Sequence, residues 1–167
     1  MAEILLLQNN QFDLANQYSI IANICRDKLK NSKMATRYFR NAALSFEQIG
    51  NYFACHKMAY QAYLNAEAVN EKKDMLNIAI RASIKQQLHK KVIFYTDELL
   101  KLISPDLHNH DYLSTCMKGY HAAKRLDDNQ KIIDYLKPHI ECHRNGIIEQ
   151  RDIKEVTKDY ITAYVKH

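Results

Sequence analysis

The chain has 167 residues, of which 47% are hydrophobic and 26% charged, with a formal net charge of +5. That is enough chain for one compact domain with a real core. Only three glycines (Gly50, Gly119, Gly146) and two prolines (Pro105, Pro138) occur, and no two glycines lie near each other. This excludes the glycine-rich phosphate loops of nucleotide folds and most multi-stranded β architectures, whose turns need residues with positive φ.

The N-terminal apolar run Ile4-Leu5-Leu6-Leu7 ends at once in Gln8-Asn9-Asn10-Gln11. It is too short for a signal core or a membrane span. Apolar residues then recur at helical spacing nearly throughout, as in Met34, Ala35, Tyr38, Phe39, Ala42, Ala43, Phe46 and Ile49. Short polar breaks fall at Asn9-Asn10, Gly50-Asn51, His89-Lys90 and Asp127-Asp128, at intervals of 41, 39 and 38 residues. A second set lies near Asn31-Ser32, Asn70–Lys73 and Ser104–Asn109, where Pro105 predicts a helix stop. A period near 39 with two helices in each predicts stacked helical hairpins. The expected hairpins cover about 1–30, 34–69, 73–103 and 110–143, with a capping helix over 148–166. Residues 1–8 read as the stub of a first helix and 11–30 as its partner. An array opening in mid-repeat predicts a piece of a longer chain, since end repeats need caps.

Residues 39–62 sharpen this reading. Phe39-x2-Ala42-Ala43-x2-Phe46 is followed by Gly50-Asn51-Tyr52 and then by Cys55, Ala59 and Ala62. Asn10, Phe12, Ala15, Ser19 and Ala22 echo its second half. The pattern resembles the tetratricopeptide repeat, in which small residues let antiparallel helices approach and aromatics fill the gaps. It departs from that family at Ala42 and Ala59, where larger residues are usual, and no proline follows near residue 67. Its longer period is more similar to the long-helix arrays of bacterial peptide-sensing regulators and soluble NSF attachment proteins. The resemblance implies an all-α fold: a right-handed superhelical array, or α-solenoid, of seven to nine helices in one domain.

Between Arg26 and Arg40, six basic residues (Arg26, Lys28, Lys30, Lys33, Arg37, Arg40) are opposed only by Asp27. Lys33, Arg37, Arg40 and Asn41 are spaced to share one side of a helix. The resemblance places Arg37, Arg40 and Asn41 on the concave face, where family members grip carboxylates; Lys33 lies one turn earlier. Arginine forks suit that role. These four are the expected partner-binding residues.

Other chemistry is weaker. His139 and His143 share a helical face beside Cys142, but a structural zinc needs four ligands and Pro138 is expected to interrupt the helix there. His108-x-His110-Asp111 falls in the proline-containing loop. Cys55 and His56 are adjacent, so on a helix they point about 100° apart and cannot act as a nucleophile–base pair. Cys25, Cys55, Cys116 and Cys142 lie at least 26 residues apart among apolar helical residues, as buried, reduced cysteines do. Ten of the eleven tyrosines are expected mostly on apolar stripes, with hydroxyls reaching solvent or backbone. The expectation is a cytoplasmic, non-catalytic scaffold with no cofactor and no metal. Its partner would be another protein or a peptide, anionic or carrying a free carboxylate. A peptide-sensing regulatory domain that switches a partner is the alternative. Neither membrane insertion nor nucleic-acid binding is expected, since the basic residues do not recur with the repeat.

Overall fold

A computed structural model describes residues 2–146 and 154–167, with side chains from Asn10 onward. The described residues form eight α-helices and no strand. They are α1 (Ala2–Asp27), α2 (Ser32–Gln48), α3 (Tyr52–Asn65), α4 (Val69–Lys85), α5 (His89–Leu100), α6 (His110–Arg125), α7 (Asn129–Arg144) and α8 (Lys154–Lys166). The chain divides into two compact units, Met1–Leu88 and His89–His167. The expected 73–103 hairpin falls across their boundary. In the first unit α1 packs on α2, α2 on α3 and α3 on α4; in the second, α5 packs on α6, α6 on α7 and α7 on α8.

The turns follow from local chemistry. After α2, α4 and α6 one residue turns left-handed: Gly50, Gln87 and Asp127. The next amide then donates back five residues, Asn51 to Phe46, Leu88 to Ser83 and Asp128 to Ala123. This closure satisfies carbonyls that a helix end otherwise leaves bare. Asn51 and Asp128 in turn accept from Ala54 N–H and Lys131 N–H, capping α3 and α7. Asn31 and Asn109 cap α2 and α6 in the same way.

Several boundaries differ from the sequence reading. α1 runs unbroken through Asn9-Asn10, so no turn separates a stub from its partner. Asparagine costs a helix only about 0.7 kcal/mol relative to alanine, and Asn10 and Gln11 face water. The break expected at His89-Lys90 lies at residues 86–88, because the left-handed residue is Gln87. Asn70–Lys73 belong to the first turns of α4; the chain breaks instead at Ala66–Ala68, where Ala66 and Ala68 are extended. Pro138 does not interrupt α7, which continues to Arg144 with Leu136, Pro138 and Cys142 buried. Packing on both sides of the proline outweighs the lost hydrogen bond. His110 and Asp111 open α6 rather than lying in a loop. The first residues of the expected 148–166 helix lie outside the described residues; α8 accounts for 154–166.

Neighbouring helices meet through small residues. α2 buries Ala35, Ala42 and Ala43 with Phe39 and Phe46, and α3 buries Cys55, Ala59 and Ala62. All four cysteines are buried free thiols. Burial pushes the Cys55 thiol up to about 12 and Cys116 up to about 11, so neither is a ready nucleophile. One close approach is in the second unit: a Cβ added at Gly119 would stand 2.5–2.7 Å from the Tyr135 ring.

Helices two apart are tied by longer polar side chains. Arg26 of α1 donates to Gln61 of α3 at 2.7 Å, and Arg81 of α4 pairs with Glu47 of α2 at 3.1 Å. Asp97 of α5 accepts from Tyr135 and Lys131 of α7, both at 2.7 Å. Asp159 of α8 accepts from Tyr120 and Lys124 of α6. The buried hydroxyls of Tyr120 and Tyr135 thus find carboxylates rather than solvent or backbone alone.

Two outcomes follow from this packing. Gly119→Ala should destabilise by about 1–3 kcal/mol in urea melts, despite alanine's better helix propensity, because the ring of Tyr135 blocks the added methyl. Combining it with Tyr135→Leu should cost less than the two single costs added, whereas a stabilising Gly119→Ala would refute the close approach. Burial pushes the Asp159 carboxyl up, but the hydrogen bonds from Lys124 and Tyr120 outweigh it and hold it below the usual range. Its stabilising contribution is therefore complete above the unfolded value near 4 and is lost as pH falls through the lowered folded value. The acid slope of unfolding midpoints between about pH 5 and 2 should flatten in Asp159→Asn, and an unchanged slope would remove this bridge from the stability of the fold.

Candidate functional site: a cationic cleft between α2 and α4

α2 and α4 are not neighbours in the chain, yet they meet in the first unit. Near their C-terminal ends the gap is closed by the Arg81–Glu47 pair. Toward their N-terminal ends it opens into a cavity of about 260 Å³, lined by Lys33, Met34, Thr36, Arg37 and Arg40 of α2 and by Glu71 and Met75 of α4. Lys33, Arg37 and Arg40 are exposed. Their spacing of four and three residues places all three on one side of α2.

The floor is apolar. Met75 is only 1% exposed and Met34 is 40% exposed. Thr36 donates its hydroxyl to the Ser32 carbonyl at 2.9 Å, which commits its polar atom to the helix backbone. Glu71, in the first turn of α4, is the one acid of the lining.

Four other long cations at helix junctions have partners. Arg26 bonds Asp27, Asn23 and Gln61 and lies 5.4 Å from the centroid of the Phe39 ring. Arg81, Lys124 and Lys131 pair with carboxylates. Among the described residues, no hydrogen bond, ion pair or ring contact engages the side chains of Lys33, Arg37 or Arg40. Three like charges held together against a single acid, Glu71, repel one another, and an anion arriving in the cleft relieves that repulsion.

Three of the four expected binding residues thus line one cleft. The fourth, Asn41, is half-buried on α2 and is not part of the lining. The sequence reading missed Met34, Thr36, Glu71 and Met75. Glu71 and Met75 do stand four apart on one face of α4, but nothing local says that this face meets α2.

The remaining candidates are separate. His139 is half-buried, and burial lowers its pKa. Among the described residues no group of three or more His, Cys, Asp or Glu side chains could hold a metal ion. A wider depression in the second unit is lined by Phe94, Asp97, Glu98, Leu100, Lys101 and Lys131, but its charges pair with each other as Lys131–Asp97 and Lys101–Glu98. No described helix is long and apolar enough to cross a membrane. No protein-family model matches the chain, and no curated protein matches it in sequence.

Because the cleft cations make no hydrogen bond or ion pair within the fold, removing their charges should not harm it. Arg37→Gln/Arg40→Gln should leave unfolding free energy within about 0.5 kcal/mol or raise it at low salt. Arg26→Ala, which removes three hydrogen-bonding partners, should cost about 1–2 kcal/mol in the same urea titrations. A large loss in the double variant would mean that these arginines hold the fold together.

Proposed function

We propose that this chain is a non-catalytic binding module of tetratricopeptide-like helical repeats, and that it grips an anionic segment of another protein in the cleft between α2 and α4. The repeat reading is supported by the alternation of contacts within each unit: helices next in sequence pack through small residues, and helices two apart are bridged by polar side chains. Stacked helical hairpins require both kinds of contact. The starts of α3, α5 and α7 at Tyr52, His89 and Asn129 also recur at 37 and 40 residues.

One observation carries the binding reading: Lys33, Arg37 and Arg40 line a cavity together and have no partner of their own. A charge cluster tolerated without internal pairing fits a surface kept for an external anion. Arginine supplies paired donors for a carboxylate, and lysine adds a mobile point charge. In this reading the cleft, between two helices that are not neighbours in the chain, is where an extended partner is held.

The test is binding of a fluorescent hexaglutamate peptide, blocked at both ends, followed by anisotropy. Affinity should fall at least tenfold in Arg37→Glu/Arg40→Glu, and should weaken steadily as salt rises from about 50 to 200 mM because the contacts are charged. Equal binding by the double variant, with its helical circular dichroism intact, would place the anion site elsewhere and end this proposal.

A further inference from the structure

We infer that the cleft selects an internal acidic–apolar–acidic stretch of an extended chain, seating one aliphatic side chain on Met34 and Met75 while carboxylates on either side engage Lys33, Arg37 and Arg40. This rests on the binding reading above and specifies the ligand of that site.

The first argument is distance. Lys33 and Arg40 are seven residues apart on α2, a rise of about 10 Å. One carboxylate carries a single charge and two oxygens, so it cannot pair fully with both arginines and the lysine at once. In an extended chain, residues on one side recur about every 6.8 Å, so two acids four positions apart stand roughly 13 Å from each other. The flexible lysine and arginine side chains absorb the difference. A single terminal carboxylate would leave at least one cation unpaired, which is the condition that the unliganded cleft already has.

The second argument is the floor. Apart from its charged side chains the lining consists of Met34, Met75 and Thr36, whose hydroxyl is committed to Ser32. A purely acidic ligand would lay charge over this apolar patch and gain nothing from it. An aliphatic side chain at the middle position buries against the methionines, which adapt to shape by rotation. The cavity volume of about 260 Å³ lies below the range of pockets that enclose whole small molecules, about 300–1,000 Å³. It suits a side chain.

The third argument is Glu71. It faces the cleft from α4, opposite the three cations. An acid lying over α4 would meet like charge, so the partner's carboxylates are confined to the α2 side. That repulsion fixes which side of the extended chain faces α2.

The experiment uses the full chain and four peptides, three of them blocked at both ends. The first contains glutamate, alanine, leucine, alanine and glutamate in that order. The second has serine for leucine, and the third has glutamine for both glutamates. The fourth has only uncharged side chains and a free carboxylate on a C-terminal leucine. The leucine–glutamate peptide should bind at least fivefold tighter than the serine peptide and at least tenfold tighter than the glutamine peptide. Met34→Gln should erase the preference for leucine over serine while leaving the serine peptide's affinity unchanged. Equal affinity for the leucine and serine peptides would overturn the inference, as would tightest binding by the peptide with the free carboxylate. Either result leaves the wider reading standing where hexaglutamate still binds through Arg37 and Arg40. If no glutamate peptide binds, both readings fall.

Discussion

The fold depends on how closely one helix can lie against the next. Alanines and cysteines at the helix contacts let the axes approach, and within each unit a helix lies back along the one before it. Dispersion and apolar burial supply the attraction across such contacts, and both fall quickly if a larger side chain holds the helices apart. Gly119 against Tyr135 is the limiting case: removal of one side chain makes room for a whole ring. That ring then places its hydroxyl on Asp97 of α5, so the close contact of α6 and α7 also positions the bridge from α7 to α5.

Bridges between helices two apart are a consequence of this geometry. Where neighbours are tight, the helices beyond them come within reach of long polar side chains. Arg26–Gln61, Arg81–Glu47, Lys131–Asp97 and Lys124–Asp159 all span such gaps. Exposed ion pairs contribute little each, typically below about 1 kcal/mol. Their effect is to set spacing and register. The partly buried hydrogen bond from Tyr135 to Asp97 is stronger, because burial raises the cost of leaving either group without a partner.

The cleft is the same kind of gap used differently. Between α2 and α4 the C-terminal end is bridged in the usual way, and the N-terminal end carries three cations on one wall and a single acid on the other. Charge there exceeds what the fold needs. The contrast with Arg26 is instructive, since it belongs to the same basic run of sequence yet is fully engaged by Asp27, Asn23, Gln61 and the Phe39 ring. Sequence proximity grouped Arg26 with Arg37 and Arg40; packing separated them into structural and available charge.

Much of this was legible in the residues themselves. Helical periodicity and scarce glycine determined the all-helical class, and Gly50-Asn51 and Asp127-Asp128 marked their turns because a left-handed residue followed by a capping side chain is a local requirement. The shared face of Lys33, Arg37 and Arg40 was equally local, since helix geometry alone sets it. Boundaries lacking such chemistry were misplaced. Asn9-Asn10 looks like a break but is tolerated in α1, and Pro138 looks like a stop but is held within α7 by the buried residues around it. Only the tertiary structure decided that Glu71 and Met75 complete the cleft, because that depends on which helix α2 meets beyond its neighbour. Periodicity records the face that a helix buries; it holds no information about the non-adjacent helix opposite the face that stays in water.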